Sequence, residues 1–172
     1  MSSTNRGGKR VPNDFYETPS WCVEKLLPYL PASGGVLDPC AGRGAILDAA
    51  ASLGSPSIGY DLDPNCGRFP TCDSLTIEWP MCSVVLMNPP FSRALEFVKY
   101  SLKQQARHRG ITCALLRLSF LSSIGRAEFL KESNPDVFVL SKRPSFTGGG
   151  TDSCDYAWFY WSPNSGGHWA IL

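Results

Sequence analysis

Val36-Leu37-Asp38-Pro39-Cys40-Ala41-Gly42-Arg43-Gly44 reads as a short strand running into a glycine-rich turn. The strand covers residues 35–38 and the turn residues 40–44, and an alanine-rich helix follows over 45–53, ending near Gly54. A Gly-x-Gly between a strand and a helix sits where an open parallel sheet binds a nucleotide-like ligand, at the carboxyl ends of its strands. Glycine lets the backbone approach that ligand closely. The third glycine of a dinucleotide fingerprint is missing, because Leu47 stands in its place, so NAD is the weaker ligand choice.

Outward from this segment the chain alternates strands and helices. Thr18 is a candidate N-cap and Pro19 suits the first position of a helix carrying Trp21, Cys22, Leu26, Leu27 and Leu30, stopped by Pro31. Further strands are expected at 57–60, weakly at 71–73, at 83–87 and at 111–118. Residues 83–87 are almost wholly apolar, as a strand covered on both faces should be. Helices are expected over 91–107, with Leu95, Val98 and Leu102 on one side, and over 124–131. Two late strands, 137–140 and 156–161, have no helix between them and imply an antiparallel closing hairpin. The alternation implies an α/β fold with a mostly parallel sheet and helices on both faces. One domain over 14–172 is expected, preceded by a basic, polar arm over 1–13.

Composition narrows the class. The 172 residues are 43% hydrophobic and 18% charged, a globular balance. No apolar run approaches the length of a bilayer span, and the first dozen residues lack the core of a secretory signal, so cytoplasmic residence is the default expectation. The seven cysteines are scattered without a Cys-x-x-Cys pair, which points to neither a metal site nor a disulfide framework. The net charge of +1 is unevenly spread. Residues 1–13 carry three basic groups, residues 14–80 three basic against nine acidic, and residues 81–172 ten basic against six acidic. Such a division suits a cationic cofactor in the acidic part and a polyanion against the basic parts, although ordinary surface charge would look the same.

Three acids stand at successive strand ends. Asp61 is placed to accept the ribose hydroxyls of an adenosyl group, Asp73 to accept from an adenine amino group, and Asp38 to meet an ammonium. Singly, each would more often be a cap or turn former.

Val84-Val85-Leu86-Met87-Asn88-Pro89-Pro90-Phe91 carries the chemistry. The prolines lock φ, and Asn88 and Pro89, each preceding a proline, are held extended, which makes a stiff turn with carbonyls to offer. An aromatic amino nitrogen is a poor nucleophile because its lone pair is delocalised. The Asn88 side-chain oxygen and the Pro89 carbonyl could hold its two hydrogens and localise that pair, while Phe91 stacks on the base.

The segment Asn88-Pro89-Pro90-Phe91 resembles the (Asp/Asn/Ser)-Pro-Pro-(Tyr/Phe) motif of the amino-methyltransferases acting on adenine N6 or cytosine N4. The 38–44 turn resembles that family's cofactor motif, and Phe15-Tyr16-Glu17-Thr18-Pro19 its upstream aromatic-x-Thr-Pro segment. The resemblance spans residues 14–161. It implies a Rossmann-like class I methyltransferase with a seven-stranded sheet and an antiparallel last hairpin, S-adenosylmethionine as cofactor, and no metal. Asparagine in first place is similar to the adenine-N6 members, whereas cytosine-N4 members more often have serine. Carried over, the resemblance puts Asn88, Pro89, Pro90 and Phe91 at the reacting base. It puts Tyr16, Thr18, Pro19, Asp38, Pro39, Cys40, Ala41, Gly42, Gly44, Asp61, Leu62, Asp73, Ser74 and Asn88 at the cofactor. Few residues follow Phe91 beyond those the last strands use, so a separate target-recognition domain is not expected. The chain resembles the small methyltransferases of phages and prophages, which would act in a bacterial host's cytoplasm with short or relaxed specificity, or with a recognition partner. A homodimer is left open.

Other residues complete the expectations. In the loop 143–152, Arg143 is the candidate for phosphate and Phe146 for a base. Lys99, Lys103, Arg107, His108 and Arg109 could follow a phosphate backbone, but a solvated helix face explains them more simply. Cys40 lies inside the cofactor turn, which favours packing over the nucleophile of cytosine-C5 enzymes. DNA is the expected substrate, its adenine flipped from the helix. The rivals are RNA adenine, a protein glutamine amide, and a non-catalytic cofactor- or DNA-binding subunit.

Overall fold

The structure is a computed structural model that describes residues 17–54, 56–146 and 151–172. The basic arm, Tyr16 and the glycines 148–150 lie outside the described residues. Seven strands form one sheet: β1 (Val36–Asp38), β2 (Ser57–Gly59), β3 (Val84–Met87), β4 (Ile111–Arg117), β5 (Asp136–Val139), β6 (Tyr156–Trp161) and β7 (Trp169–Ile171). Their spatial order is β2-β1-β3-β4-β6-β5-β7. The pairs from β2 to β4 are parallel. β6 lies antiparallel to both β4 and β5.

The pleat sorts one sequence into two cores. Val36, Val84, Leu86, Cys113, Leu115, Tyr156 and Trp158 face one layer, where α1 (Ser20–Glu24) and α2 (Ala45–Ala50) supply Cys22, Val23, Ile46, Leu47 and Ala50. Leu37, Val85, Met87, Ala114, Leu116, Ala157 and Phe159 face the other, against Ala94, Phe97 and Val98 of α3 (Ala94–Gln105). Both faces of β3 are therefore buried, as its apolar run requires. α4 (Ile124–Ser133) buries none of its residues fully and rests on the second layer through Phe129 and Leu130.

Four expectations need correction. The first helix is broken: α1 stops at Glu24, and a separate 3-10 turn spans Leu27–Tyr29 around Pro28, which cannot donate to a continuing helix. Thr18 does not cap α1; Pro19 occupies the N-cap position without a side-chain bond. α3 starts at Ala94, because the Pro90 carbonyl accepts the Arg93 N–H outside the helix. Its buried face is Ala94, Phe97, Val98 and Ser101, so Leu95 and Leu102 are only half-buried. The expected strand at 71–73 is reduced to a single parallel bridge between Thr71 and Asp61. The seventh strand is instead β7, parallel to β5, with its Trp169 and Ile171 side chains exposed.

α3 runs back from the carboxyl edge of the sheet to its amino edge. Arg107 there pairs with Glu78, and His108 Nε2 lies 2.9 Å from the Cys82 carbonyl oxygen. Lys99 sits over the Phe129 ring. These cations are spread over a helix flank rather than aligned beside the strand ends that carry Asp38 and Asn88.

Candidate active site

The turn after β1 is held from below and from the side. Ala41 N donates to the Tyr60 carbonyl at 2.8 Å, and Tyr60 N to the Asp38 carbonyl at 3.0 Å. Gly42 N donates to Asp61 Oδ2 at 2.7 Å, and Asp63 N to Asp61 Oδ1 at 2.8 Å. Asp61 thus ties the glycine turn to the end of β2. Gly42 and Gly44 have φ of +53° and +95°, values a side chain strains to adopt. A Cβ on Gly44 would stand 2.5 Å from Arg68 Nη1 and 3.1 Å from Phe69. Gly44 is therefore required chiefly by its left-handed backbone at the start of α2.

A cavity of about 420 Å³ opens at the carboxyl edge of β1, β2 and β3. Thr18, Asp38, Pro39, Cys40, Ala41, Gly42, Asp61, Leu62, Asp73, Ser74, Asn88 and Pro90 all border it. Pro19 and Phe146 border a neighbouring groove that shares Glu17 and Thr18 with the cavity. Gly44, Pro89 and Phe91 are not part of the cavity lining, and Arg143 is an exposed residue paired with Asp155 at 2.7 Å.

Asp38 is the electrostatic centre. It is 1% exposed. Its Oδ1 accepts from Cys40 N at 3.0 Å and from the Cys40 thiol at 3.5 Å. Its Oδ2 is buried with no hydrogen-bond partner among the described residues. Burial, opposed by the Cys40 N–H, pushes its carboxyl from 3.8 up to about 7. A buried acceptor without a donor is costly and calls for a ligand that supplies one. Burial and the carboxylates of Asp38 and Asp61 hold the Cys40 thiol protonated, the opposite of what a nucleophile needs.

The other acids are more committed. Asp73 Oδ1 accepts from Leu75 N at 3.1 Å, and its Oδ2 lies 3.5 Å from Arg93 Nη2. Ser74 donates its hydroxyl to the Pro39 carbonyl at 2.7 Å, which makes it a strut beneath the turn. Asn88 follows β3, and its Nδ2 donates to the buried Thr18 hydroxyl at 3.0 Å. This bond joins the upstream segment to the Asn-Pro-Pro turn across seventy positions of chain.

The sequence reading missed Arg93, Cys72, Asp63 and Phe97 on the cavity wall. It also missed Arg117, whose guanidinium lies 4.1 Å from the centroid of the Phe91 ring. Asp63 and Cys72 adjoin the predicted Asp61 and Asp73 in sequence, whereas Phe97 and Arg117 reach the site only through the packing of helix and strands.

The strand order, the glycine turn after β1 and the cavity at the carboxyl edge define a Rossmann-like α/β architecture, that of the class I methyltransferases. No protein-family model and no curated protein matches the chain. Solved structures do match. A protein described as an RNA methyltransferase from Pyrococcus horikoshii has a TM-score of 0.64 at 17% identity, over 93% of this chain and 94% of its own. One described as a class I S-adenosylmethionine-dependent methyltransferase from Listeria monocytogenes has a TM-score of 0.62 at 15% identity, over 97% and 68%. One described as a modification subunit of a type I restriction enzyme from Vibrio vulnificus YJ016 has a TM-score of 0.62 at 17% identity. That match takes in 88% of this chain, which spans less than half (45%) of the Vibrio subunit. At such identities the likeness is one of fold.

Proposed function

We propose that this chain is an S-adenosylmethionine-dependent methyltransferase acting on the exocyclic N6 of adenine in DNA, with short or relaxed sequence specificity. The observation that carries the reading is the meeting of the Asp38 carboxylate and the Asn88 amide on one cavity wall, at the ends of adjacent strands. The fold supports a methyltransferase; the Vibrio protein, described as a restriction-enzyme modification subunit, favours DNA, and the Pyrococcus protein, described as an RNA methyltransferase, favours the RNA rival.

The residues present fit the cofactor. The orphaned, buried Asp38 Oδ2 suits its ammonium group, and the cavity volume suits a nucleoside-sized ligand. Asp61, its oxygens already accepting from Gly42 and Asp63, retains lone pairs for ribose hydroxyls. Leu62 and Asp73 would flank the adenine. When bound, S-adenosylmethionine supplies an electrophilic methyl group on its sulfonium. The chain's own part is to hold the amino nitrogen. The Asn88 Oδ1 and the Pro89 carbonyl would accept its two hydrogens and localise its lone pair. The Pro90 carbonyl already accepts the Arg93 N–H. Thr18, accepting from Asn88 Nδ2, tethers the amide beside the cavity. Arg143 and Phe146 would meet the nucleic acid beside this cavity.

The test is mass spectrometry of nucleosides from cells deficient in adenine methylation that express the chain or its Asn88→Ala variant. N6-methyladenine in plasmid DNA with the unaltered chain, reduced on the order of 100-fold or more in the variant, is expected. With the purified chain and labelled S-adenosylmethionine, label confined to RNA, to N4-methylcytosine or to protein would refute the substrate assignment. Activity only after a second chain copurifies would make this the catalytic subunit of a larger enzyme.

A further inference from the structure

The geometry points to Arg117 as a positioning residue of the base site, acting on Phe91 and locked by Tyr156 and Asp152. The inference rests on the proposed role of Phe91 as the ring that stacks on the substrate base. Arg117 is the last residue of β4 and stands opposite Tyr156 of β6 in the strand register. Its guanidinium covers one face of the Phe91 ring at 4.1 Å. Its Nε donates to the Tyr156 hydroxyl at 3.2 Å, and that hydroxyl donates to Asp152 Oδ2 at 2.9 Å. Tyr156 is fully buried. Its ring lies 6.1 Å from Phe91 and 5.1 Å from Phe146, centroid to centroid.

The arrangement does what the two prolines cannot. Prolines stiffen the backbone of the turn but leave the side-chain torsions of Phe91 free to rotate. A planar cation over the ring holds it by cation–π attraction and so sets the ring plane. The cation is in turn tethered to a buried phenol, whose hydroxyl the Asp152 carboxylate holds. The chain of contacts also ends on a segment already proposed to meet substrate. Asp152 Oδ1 accepts from Cys154 N at 2.9 Å, and Asp152 N donates to the Pro144 carbonyl at 2.9 Å, next to Arg143. Anything that orders Asp152 thereby orders Phe91.

The test uses the full chain with Arg117→Met, Arg117→Lys, Tyr156→Phe, Asp152→Ala and the Tyr156→Phe/Asp152→Ala pair. Three readouts separate positioning from folding: the Phe91 ring resonances in 13C-phenylalanine NMR, assigned with Phe91→Leu; the Kd of S-adenosylhomocysteine by calorimetry; and kcat and KM on DNA. Arg117→Met should shift the Phe91 resonances and lower kcat about 10- to 100-fold, because small misplacements at the reacting centre are costly. It should leave the S-adenosylhomocysteine Kd within about twofold, because the cofactor cavity is not altered, and Arg117→Lys should recover part of kcat. Asp152→Ala should lower kcat alone but add nothing to Tyr156→Phe, since both cut one chain of contacts. Unmoved Phe91 resonances, a wild-type kcat in Arg117→Met, a Kd loss equal to the kcat loss, or additive Asp152 and Tyr156 effects would each overturn the assignment. If the unaltered chain methylates no nucleic acid, the functional reading fails by itself. The Phe91 resonances and the Kd then still decide the role of Arg117.

Discussion

Asp38→Asn should stabilise the ligand-free protein while weakening cofactor binding, and both effects should follow pH in a defined window. The Asp38 carboxyl titrates near 3.8 when exposed and is pushed by burial to about 7 in the fold. An acid whose folded value is raised keeps its proton longer in the native state than in the unfolded one. Its contribution is therefore fully present below about pH 4 and is lost as pH rises to about 7. The shift of some three units corresponds to a cost on the order of 4 kcal/mol above pH 7, which an amide does not incur. Asparagine can still accept the Cys40 N–H, so the comparison isolates the charge. In urea denaturation, Asp38→Asn should gain about 3 kcal/mol more over the unaltered chain at pH 8 than at pH 5. Binding runs the other way. With a value near 7, Asp38 is about 90% ionised at pH 8 and about 10% at pH 6, so its attraction for an ammonium falls about tenfold. The quantity to measure is the ratio of S-adenosylhomocysteine affinities, unaltered chain over variant, in which titration of the ligand itself cancels. A stability difference that is equal at pH 5 and pH 8 would refute the burial argument. A flat affinity ratio would refute the pairing of Asp38 with the ligand's cation.

Three further outcomes follow from the packing. Gly44→Ala forces a side chain into a left-handed backbone and against Arg68 and Phe69, and should cost about 1–3 kcal/mol in thermal or urea unfolding. Trp158→Phe removes the donor that reaches the Cys22 carbonyl at 2.7 Å in the core, leaving an orphaned acceptor and a void; a loss of about 2–4 kcal/mol is expected by the same assay. Arg68→Ala breaks the ion pair between side chains that are 47% and 59% exposed, and should leave the urea midpoint nearly unchanged, with high salt erasing most of any difference.

Much of the fold was legible because its signals are local. Residues 83–87 could not be a surface strand, and the structure buries all four residues of β3. The glycine turn between β1 and α2 and the end of α2 near Gly54, which adopts a left-handed φ of +66°, follow from backbone sterics that act within a few residues. The alternating aromatic run at 156–161 likewise became a strand whose two faces enter the two cores. β7 escaped notice for the opposite reason. Its three residues are mostly exposed, and it exists because the Asp136 carboxylate accepts from Gly166 N and His168 N while β5 offers a free edge. The false strand at 71–73 shows the same limit, since three residues cannot announce whether a partner edge lies within reach.

The candidate site divides along that line. By itself, the sequence offered the candidates for holding an adenosyl group and an amino nitrogen, because proline, glycine and carboxylate chemistry is written at single positions. Only the tertiary structure decided that Thr18 steadies the Asn88 amide instead of capping a helix, that Ser74 braces the turn, that Asp38 carries a shifted proton, and that Arg117 lies over Phe91. The physical reason is that burial and partnership are properties of a place in three dimensions. A carboxylate acquires its proton affinity, and an arginine its aromatic partner, from residues tens of positions away that strand register brings alongside.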